Sequence, residues 1–498
     1  MTTQPSLSKL IRSIHRLWIS TTAVLALTGC SLAPTYERPS LPVPLNQQSG
    51  AMSAKSGDTA ADVELSQVEE ALISDLAPEG ELQRWVRLAL KYNRDYQVAA
   101  LRVQEAQATY HVSRAERIPV LSASVERERQ HFDNPVAQER YGQDIAIASF
   151  GASNFELDFF GRVRNLSEAA RHDYLATTYG QQAARTALVT EVARAYLFEQ
   201  LSAAMEVDAQ RISDAHQGVL DVIEDQQKQG AMSFDDVAVQ RLTVEGSHQR
   251  LADAMAAHAR AYQALLLLTG YSASLSQVKI EPDNANPLLD VPTWLVDMPS
   301  QRLLDRFDIR QSEELLKAAN ANIGAARAAF FPSITLSTSV GVQSESLRAL
   351  FGDSSGTWLF SPQLNLPLFD GGRNQSNLDL AKVRKQLAIT QYEKTIQTAF
   401  REMADVLTQR RLVLDRMRSE IELRHLAQEK ARRALMAFAA GAADRATILA
   451  STVSVAQADI TWRQSRHELL LNRLNLYRVL CGADAAPLQF QPETATSL

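Results

Sequence analysis

The chain repeats itself at a separation of about 211 residues, and this internal repeat constrains its fold more than any other feature. The recurring landmarks are Asp95 and Asp308, Pro119 and Pro332, Arg164-Asn165 and Arg373-Asn374, Gly230 and Gly441, and Gly270 and Gly482, at separations of 213, 213, 209, 211 and 212. A drift of a few residues is expected when insertions and deletions are confined to loops. The sequence therefore predicts two copies of one structural unit of roughly 200 residues.

Each unit begins with helical patterns that end at a proline. Trp85, Leu88, Ala89 and Tyr92 follow the spacing i, i+3, i+4, i+7 of one helix face. A second helix is predicted from 95 to 117. Pro119, and Pro332 in the other half, should terminate this helix because proline lacks the N–H that a helix interior needs.

An alternating pattern follows each proline and predicts strands. The clearest apolar positions are Ile334, Leu336, Val340 and Val342, then Trp358, Phe360, Leu364, Leu366 and Leu368, and in the first half Leu121, Ala123, Val125, Phe155, Leu157 and Phe159. Each unit thus supplies one β-hairpin, at about 119–160 and 332–369, with strands of the length that crosses a bilayer. A soluble sheet with one wet face is the alternative. Four strands cannot close a barrel, and open edges in lipid leave backbone groups unpaired, so a membrane barrel needs several chains.

Long helical patterns follow the strands. Ile396, Phe400, Met403 and Leu407 form an apolar stripe in a helix predicted from Asn374 to about Arg418. A hairpin turn is predicted there, followed by helices at about 420–440 and 445–480 with a break at 441–444. The same break is predicted at 230–233. Such lengths favour coiled-coil-like packing over an ordinary globular domain.

The N-terminus has the pattern of an export signal. Basic residues Lys9, Arg12 and Arg16 precede a short apolar segment at 17–27. The tetrapeptide 27–30 that follows resembles the bacterial lipobox, which implies a signal peptide at 1–29 and lipidation of Cys30. Ser31, by the rule of that family, permits sorting to the outer membrane. An ordinary signal peptide that contains a cysteine is the alternative. Residues 30–80 are then expected to form a lipidated, extended linker, because the sequence from Ser31 to about Asp75 is rich in Pro, Ser, Gln and Gly. A disordered leader and an ordered arm are both open for this segment.

Composition excludes several classes of function. The net charge of −6 offers no basic surface for nucleic acid. After Cys30 no apolar run is long enough for a membrane-spanning helix, so any crossing of a membrane must use strands. The nine histidines are scattered, and HExxH, CxxC and Gly-rich phosphate loops are missing from the sequence. We therefore expect no cofactor, no metal site and no enzymatic activity.

Three stretches carry a family resemblance: residues 89–99 (ALKYNRDYQVA), 318–341 (AANANIGAARAAFFPSITLSTSVG) and 367–374 (PLFDGGRN). With the repeat and the lipobox, they resemble the TolC-like outer membrane efflux proteins, in particular the lipoprotein branch. The resemblance implies a mixed α and β fold: a trimer whose twelve strands, four from each chain, close one outer-membrane β-barrel continued by a periplasmic α-helical barrel. The expected domains are a first repeat at 81–285, a second at 286–482 and a tail at 483–498.

The same resemblance implies the exit duct of a tripartite efflux pump. Its expected partners are two further copies of the chain, a periplasmic adaptor, an inner-membrane efflux transporter and outer-membrane lipid. Family members close the helical tip with polar residues, and Asp415 and Glu422, near the predicted turn, are candidates for an acidic gate there. Both could instead be solvated carboxylates on a helix surface. A periplasmic adaptor, or another coiled-coil envelope lipoprotein, is the alternative function.

Overall fold

The tandem repeat is confirmed in the computed structural model, which describes Ala33, Tyr36, Leu350 and residues 64–78, 80–270, 300–345 and 355–480. The signal peptide, Cys30, most of the linker and the C-terminal tail lie outside the described residues. The extended linker predicted over 30–80 is wrong at 67–76, which form a helix, because Ser66 caps the helix and Ile73 and Leu76 are buried in the main core. The elements in chain order are α1 (Gln67–Leu76), α2 (Glu81–Tyr92), α3 (Arg94–Ala115), β1 (Leu121–Gln130), α4 (Pro135–Tyr141), β2 (Gln143–Leu157), α5 (Arg162–Lys228), α6 (Phe234–Thr269), a 3-10 turn (Ser300–Asp305), α7 (Phe307–Ala328), β3 (Ser333–Ser344), β4 (Gly356–Asn365), α8 (Arg373–Ala439) and α9 (Arg445–Leu480).

Corresponding helices of the two repeats have equal lengths. Helices α3 and α7 have 22 residues each, α5 and α8 have 67 each, and α6 and α9 have 36 each. Both 67-residue helices start after a glycine in the left-handed region, Gly161 (φ 79°) and Gly372 (φ 85°). Arg162 therefore corresponds to Arg373, at a separation of 211. The predicted pairing of Arg164 with Arg373 is wrong by two residues, because at this offset Arg164 aligns with Gln375 and Gly371 takes the place of Phe160.

The long helices end as the sequence predicts, at Gly230 and Gly441. Both glycines take positive φ angles of 78° and 71°, a conformation that costs glycine little and terminates a helix. The following helix then begins at a side-chain cap. Ser233 accepts a hydrogen bond from the Asp236 N–H at 3.1 Å, and Asp444 accepts one from the Thr447 N–H at 2.8 Å.

The turn predicted near Arg418 is wrong, because α8 continues unbroken through this position to Ala439. Residues 418–426 contain neither glycine nor proline, and Arg, Glu and Leu favour helix. Ser419 does not cap a new helix, since its hydroxyl donates back to the Asp415 carbonyl at 3.3 Å. At 1.5 Å per residue, the 67 residues of α8 extend about 100 Å.

The four strands form one antiparallel sheet in the order β1-β2-β3-β4. Pairing of β2 with β3 joins the two repeats, and a bulge between Ala152 and Phe155 shifts its register. At the bulge Asn154 has φ 54°, and its N–H donates to the Ser337 hydroxyl at 3.0 Å. All four strand ends that lead to the helices, at Leu121, Leu157, Ser333 and Asn365, lie at one end of the sheet; loops lie at the other.

The main core lies where α1 and α2 pack on the middle of α5. Its buried members include Trp85, Val86, Val189, Val192, Tyr196, Leu265 and Leu474. Leu474 belongs to the second repeat, so this core joins the two units. Asn93 fixes the entry to α3, since its side chain accepts from the Tyr96 N–H at 2.9 Å and donates to the Leu268 carbonyl at 2.8 Å. Among the described helices, none combines the length and apolarity that a membrane span requires.

Candidate functional site

The sheet has one apolar and one polar face. Side chains alternate along a strand, and residues paired across an antiparallel ladder share a face. The register places on one face Leu121, Ala123, Val125, Ala148, Phe150, Ala152, Phe155, Leu157, Ile334, Leu336, Thr338, Val340, Val342, Trp358, Phe360, Pro362 and Leu364. The other face carries mainly Ser, Thr, Gln, Asn and Glu, interrupted by Ile145, Ile147 and Leu359. The apolar face is typical of a lipid-exposed surface, and the polar face of a water-filled lumen.

Both edges of this sheet are open in the single chain. Strands β1 and β4 each pair on one side only, within the four strands described. Trp358, Phe360 and Leu364 of β4 are largely exposed, as are Leu121 and Val125 of β1. An isolated sheet with these edges and this apolar face would aggregate in water.

Helix α8 has fewer neighbours than its repeat equivalent α5. Helix α5 packs against α3, α6, α7 and α9, whereas α8 packs mainly against α7 and α9 in the described part of the chain. Twenty residues of α5 are buried but only Ala381, Ala399, Val406 and Met417 of α8. One long side of α8 is therefore left uncovered by the residues that the structure describes.

A buried charge cluster joins the repeats along the helices. Asp208 of α5 is 0% exposed and accepts a hydrogen bond from Nε of Arg463 in α9 at 3.0 Å. Asp459 of α9 accepts from Nε of Arg424 in α8 at 2.6 Å, and Arg211 lies between the two carboxylates, at 3.2 Å from Asp208 and 3.4 Å from Asp459. The Arg424 guanidinium also lies over the Trp462 ring, 4.1 Å from its centroid. This cluster is not predicted from the sequence, because its only local signal is the i, i+3 pair of Asp208 and Arg211.

A second polar cluster connects α5 with α6. His258 Nδ1 lies 2.6 Å from Glu206 and its Nε2 lies 3.2 Å from Glu199, which is almost fully buried. Burial alone would lower the pKa of His258, but the hydrogen bonds to Glu206 and Glu199 outweigh it and raise that pKa above its usual value. Burial also raises the pKa of Glu199, against the opposing hydrogen bond from His258. The described residues contain no cluster of three or more His, Cys, Asp or Glu suited to a metal ion.

The two candidate gate residues lie within α8 and not at its end. Asp415 is 24 residues, or about 36 Å, from Ala439, and Glu422 is 17 residues, or about 26 Å. Asp415 is exposed and pairs with Arg418 at 3.2 Å. Glu422 is exposed about two turns further along the helix. Their placement at a hairpin turn is thus wrong, because the turn itself lies at 440–444.

An amphipathic four-stranded sheet joined at one end to two hairpins of very long helices defines an outer-membrane channel subunit. The chain belongs to the outer membrane efflux protein family, whose profile matches it twice, at residues 85–271 and 298–482. These two matches coincide with the two structural repeats, and the chain is accordingly an outer-membrane protein with a TolC-like fold.

Relatives cover nearly the whole chain. The cation efflux system protein CusC of Escherichia coli O6:H1 is 36% identical over 461 residues, which are 92% of this chain and 96% of CusC. The toluene efflux pump outer membrane protein TtgC of Pseudomonas putida is 34% identical, covering 92% and 93%. The probable outer membrane lipoprotein SilC of Salmonella typhimurium is 33% identical, covering 93% and 98%. A crystal structure of CusC aligns with a TM-score of 0.69 at 34% identity, over 91% of this chain and all of that one.

Proposed function

We propose that this chain forms, as a homotrimer, the passive exit duct of a tripartite efflux system, receiving its cargo from an inner-membrane transporter and a periplasmic adaptor. The single observation that carries the proposal is the amphipathic sheet with two open edges, joined at one end to helices about 100 Å long. Such a sheet is satisfied in lipid only when its edges are paired. The duct conducts and does not catalyse.

The internal repeat supports closure by further copies. Within one chain, β2 of the first repeat pairs with β3 of the second. The equivalent pairing for β4 is with β1 of another copy, so three chains of four strands give a closed ring of twelve. The long helices also pack across the repeats, since α5 of the first repeat packs on α7 and α9 of the second. The first-repeat equivalents of α7 and α9 are α3 and α6. Helix α8 is then expected to pack on α3 and α6 of another copy.

The exposed side chains of α8 support this interface. Leu380, Leu387, Leu423 and Leu426 are 47–65% exposed. Subtracting 211 positions gives their equivalents in α5, which are Ala169, Ala176, Ile212 and Ala215, none more than 8% exposed. A face that is buried in the first repeat is therefore apolar but uncovered in the second, as expected when another copy covers it.

The N-terminal anchor and the domain limits belong to the same proposal. The tetrapeptide that ends at Cys30 supports lipidation there, and the name of SilC describes a probable outer membrane lipoprotein. An acylated Cys30 would add a lipid anchor to the sheet. We propose repeats at 81–285 and 286–482, which include the two family matches at residues 85–271 and 298–482, after an N-terminal segment that contains α1.

The cargo is left open by this architecture. CusC is named for cation efflux and TtgC for toluene efflux, although both are similar to this chain over more than nine tenths of its length. A duct of one shape therefore serves chemically different cargo, and we propose that the transporter selects what enters it.

The test is the mass and the conductance of the purified protein. Extraction from outer membranes in mild detergent should give a trimer, and planar bilayers should show discrete conductance. A monomer without conductance that leaves the membrane on Cys30→Ser would overturn the duct and favour the adaptor-type lipoprotein.

The acidic gate is tested on the same bilayers. We propose that the carboxylates of three Glu422 side chains, one from each copy, form a ring that restricts the passage of ions through the lumen. Asp415 should contribute less, because its charge is already neutralised by Arg418. Glu422→Gln should therefore raise conductance more than Asp415→Asn. Equal conductance in both variants and the unmodified protein would show that these are solvated helix-surface carboxylates.

A further inference from the structure

The apolar face of the sheet carries a small charged group near its loop end. Arg127 and Arg129 of β1 occupy the same face as Leu121, Ala123 and Val125, because all five are odd-numbered positions of one strand. Asp144, paired with Arg129 across the ladder, shares this face. These three are the only ionisable residues that the four strands place on the apolar face.

Asp144 holds both guanidinium groups in one orientation. Arg127 donates through Nε at 3.0 Å and Nη2 at 3.2 Å, and Arg129 donates through Nε at 3.0 Å and Nη2 at 2.6 Å. The Nη1 groups take no part in these four bonds. Two cations share one carboxylate, so the group keeps one net positive charge and N–H donors for a further acceptor.

The acidic and the basic side chains of β1 lie on opposite faces of the sheet. Glu126 and Glu128 alternate with the arginines and lie on the polar face. Four consecutive residues, Glu-Arg-Glu-Arg, therefore place two acids on the lumen side and two bases on the lipid side.

The position of Arg127 and Arg129 along β1 places them at an interface of the membrane and not at its centre. The helices leave the opposite end of the sheet, so the arginines lie toward the loops and, in an outer membrane with periplasmic helices, toward the outer leaflet. A lipid-facing arginine is strongly unfavourable at the bilayer centre but nearly neutral at its interfaces. The strand that would pair with β1 in a trimer, β4, has the sequence GTWLFSPQLN and contributes no carboxylate.

We propose that Arg127, Arg129 and Asp144 form a binding site for the phosphate of an anionic lipid at the loop-side rim of the apolar face. Arginine forks match phosphate geometry, and the neighbouring apolar positions of the sheet would contact the acyl chains. The inference rests on the proposed function only in placing this sheet in the bilayer. A closed trimer has three such sites.

Lipid retention tests the site. The full-length protein is reconstituted in nanodiscs of phosphatidylcholine with one quarter phosphatidylglycerol, transferred to mild detergent, and its retained lipids are counted by native mass spectrometry. The unmodified trimer should retain phosphatidylglycerol in preference to phosphatidylcholine. Arg127→Gln with Arg129→Gln should lower that retention about tenfold, the loss expected for one charge-assisted hydrogen bond. The matched control, Glu126→Gln with Glu128→Gln on the opposite face of the same strand, should retain it.

Further arms separate the possible results. Asp144→Asn raises the net charge of the group and should increase the retention of phosphatidylglycerol. If the double arginine variant fails to assemble, this variant tests whether the group binds the lipid phosphate. Displacement of the lipid by millimolar inorganic phosphate would show a free-anion site and overturn the lipid assignment. Equal retention of the two lipids, or no change in the arginine variant, would overturn the site altogether. Conductance of the same samples reports on the duct separately, and the arginine variant should conduct normally.

Discussion

Arg463 of the second repeat donates a 3.0 Å hydrogen bond to Asp208 of the first, and the Asp208 side chain is completely buried. Two residues that lie 255 positions apart thus connect the long helix of one repeat to the return helix of the other. Because Arg211, Arg424 and Asp459 join the same cluster, the connection extends across α5, α8 and α9. This polar cluster therefore connects the two repeats along their long helices.

Asp208→Asn should destabilise the protein by about 3 kcal/mol, since removing one partner leaves Arg463 without its buried counter-charge. The midpoint of guanidinium-induced loss of helical circular dichroism, in detergent, measures the change. The control is Arg416→Met, which breaks the exposed pair with Glu468 at 2.7 Å and should cost less than about 1 kcal/mol. Asp208→Leu combined with Arg463→Met should recover stability, and a double variant as weak as Asp208→Asn would contradict this account.

The His258 cluster should make stability fall as pH rises. The folded-state pKa values of His258 and Glu199 both lie above their usual values, so the folded protein binds more protons than the unfolded chain. The contribution of His258 to the free energy of unfolding is fully present below about pH 6.5, the ordinary pKa of histidine. It is lost as the pH rises through the higher pKa of His258 in the folded protein. For Glu199 the same loss begins above about pH 4.3.

Unfolding midpoints of the protein and of His258→Gln, compared from pH 5 to 9, measure this effect. The difference between the two proteins should be largest at low pH and shrink as pH rises. His248→Gln is the control, because His248 is half-exposed and lies 4.0 Å from Glu245. A difference that grows with pH would show that the histidine is neutral in the folded state.

The polar face of β1 should give the outer mouth a preference for cations. Glu126 and Glu128 would place six carboxylates at the rim of a trimer, and a ring of acids favours cations. Glu126→Gln with Glu128→Gln should lower the cation-to-anion permeability ratio, read from the reversal potential in a salt gradient. Arg127→Gln with Arg129→Gln, on the lipid side, should leave the ratio unchanged. A change in the arginine variant alone would mean that the two faces are assigned the wrong way round.

Local signals explain which elements the sequence predicts. Glycines at 230 and 441 mark helix ends where the chain needs a positive φ, and Pro119 and Pro332 follow the ends of α3 and α7. Alternation in 333–342 predicts β3 because a half-buried strand has a period of two. These signals recur in both repeats, so each supports the other.

Contacts between distant residues explain what the sequence does not predict. The Asp208 cluster depends on the alignment of two helices, which no local spacing encodes. The bulge at Asn154 depends on a hydrogen bond to Ser337, 183 residues away. The turn wrongly placed near Arg418 has no glycine or capping side chain to support it. Met417 packs against Trp462 and Leu469 of α9 here, so both helix propensity and packing carry α8 through to Ala439. Because the turn was placed wrongly, the prediction that Asp415 and Glu422 lie at the helical tip is wrong as well.

The interface between copies can be tested by comparing two equivalent pairs of residues. His172 of α5 contacts Glu314 of α7 at 2.6 Å within one chain. Adding 211 positions to His172 gives Val383, and subtracting 213 from Glu314 gives Leu101, the offsets that relate α5 to α8 and α3 to α7. Val383 and Leu101 are 58% and 60% exposed in the single chain. We expect them to meet between copies, as an apolar replacement for the polar pair inside the chain.

Cysteine variants with a short thiol-specific crosslinker distinguish the two pairs. Val383→Cys with Leu101→Cys should give covalent dimers and trimers on a denaturing gel. His172→Cys with Glu314→Cys should crosslink within one chain and leave its mass near that of the monomer. Cys481 is replaced by serine in both backgrounds so that it cannot react. If the Val383 and Leu101 pair crosslinks within the chain, or not at all while the control reacts, then α8 is covered by something other than α3 of a second copy. The control pair lies on equivalent helices and uses the same chemistry. A lack of crosslinking between Val383→Cys and Leu101→Cys would therefore contradict the proposed contact between copies, and could not be explained by unreactive thiols.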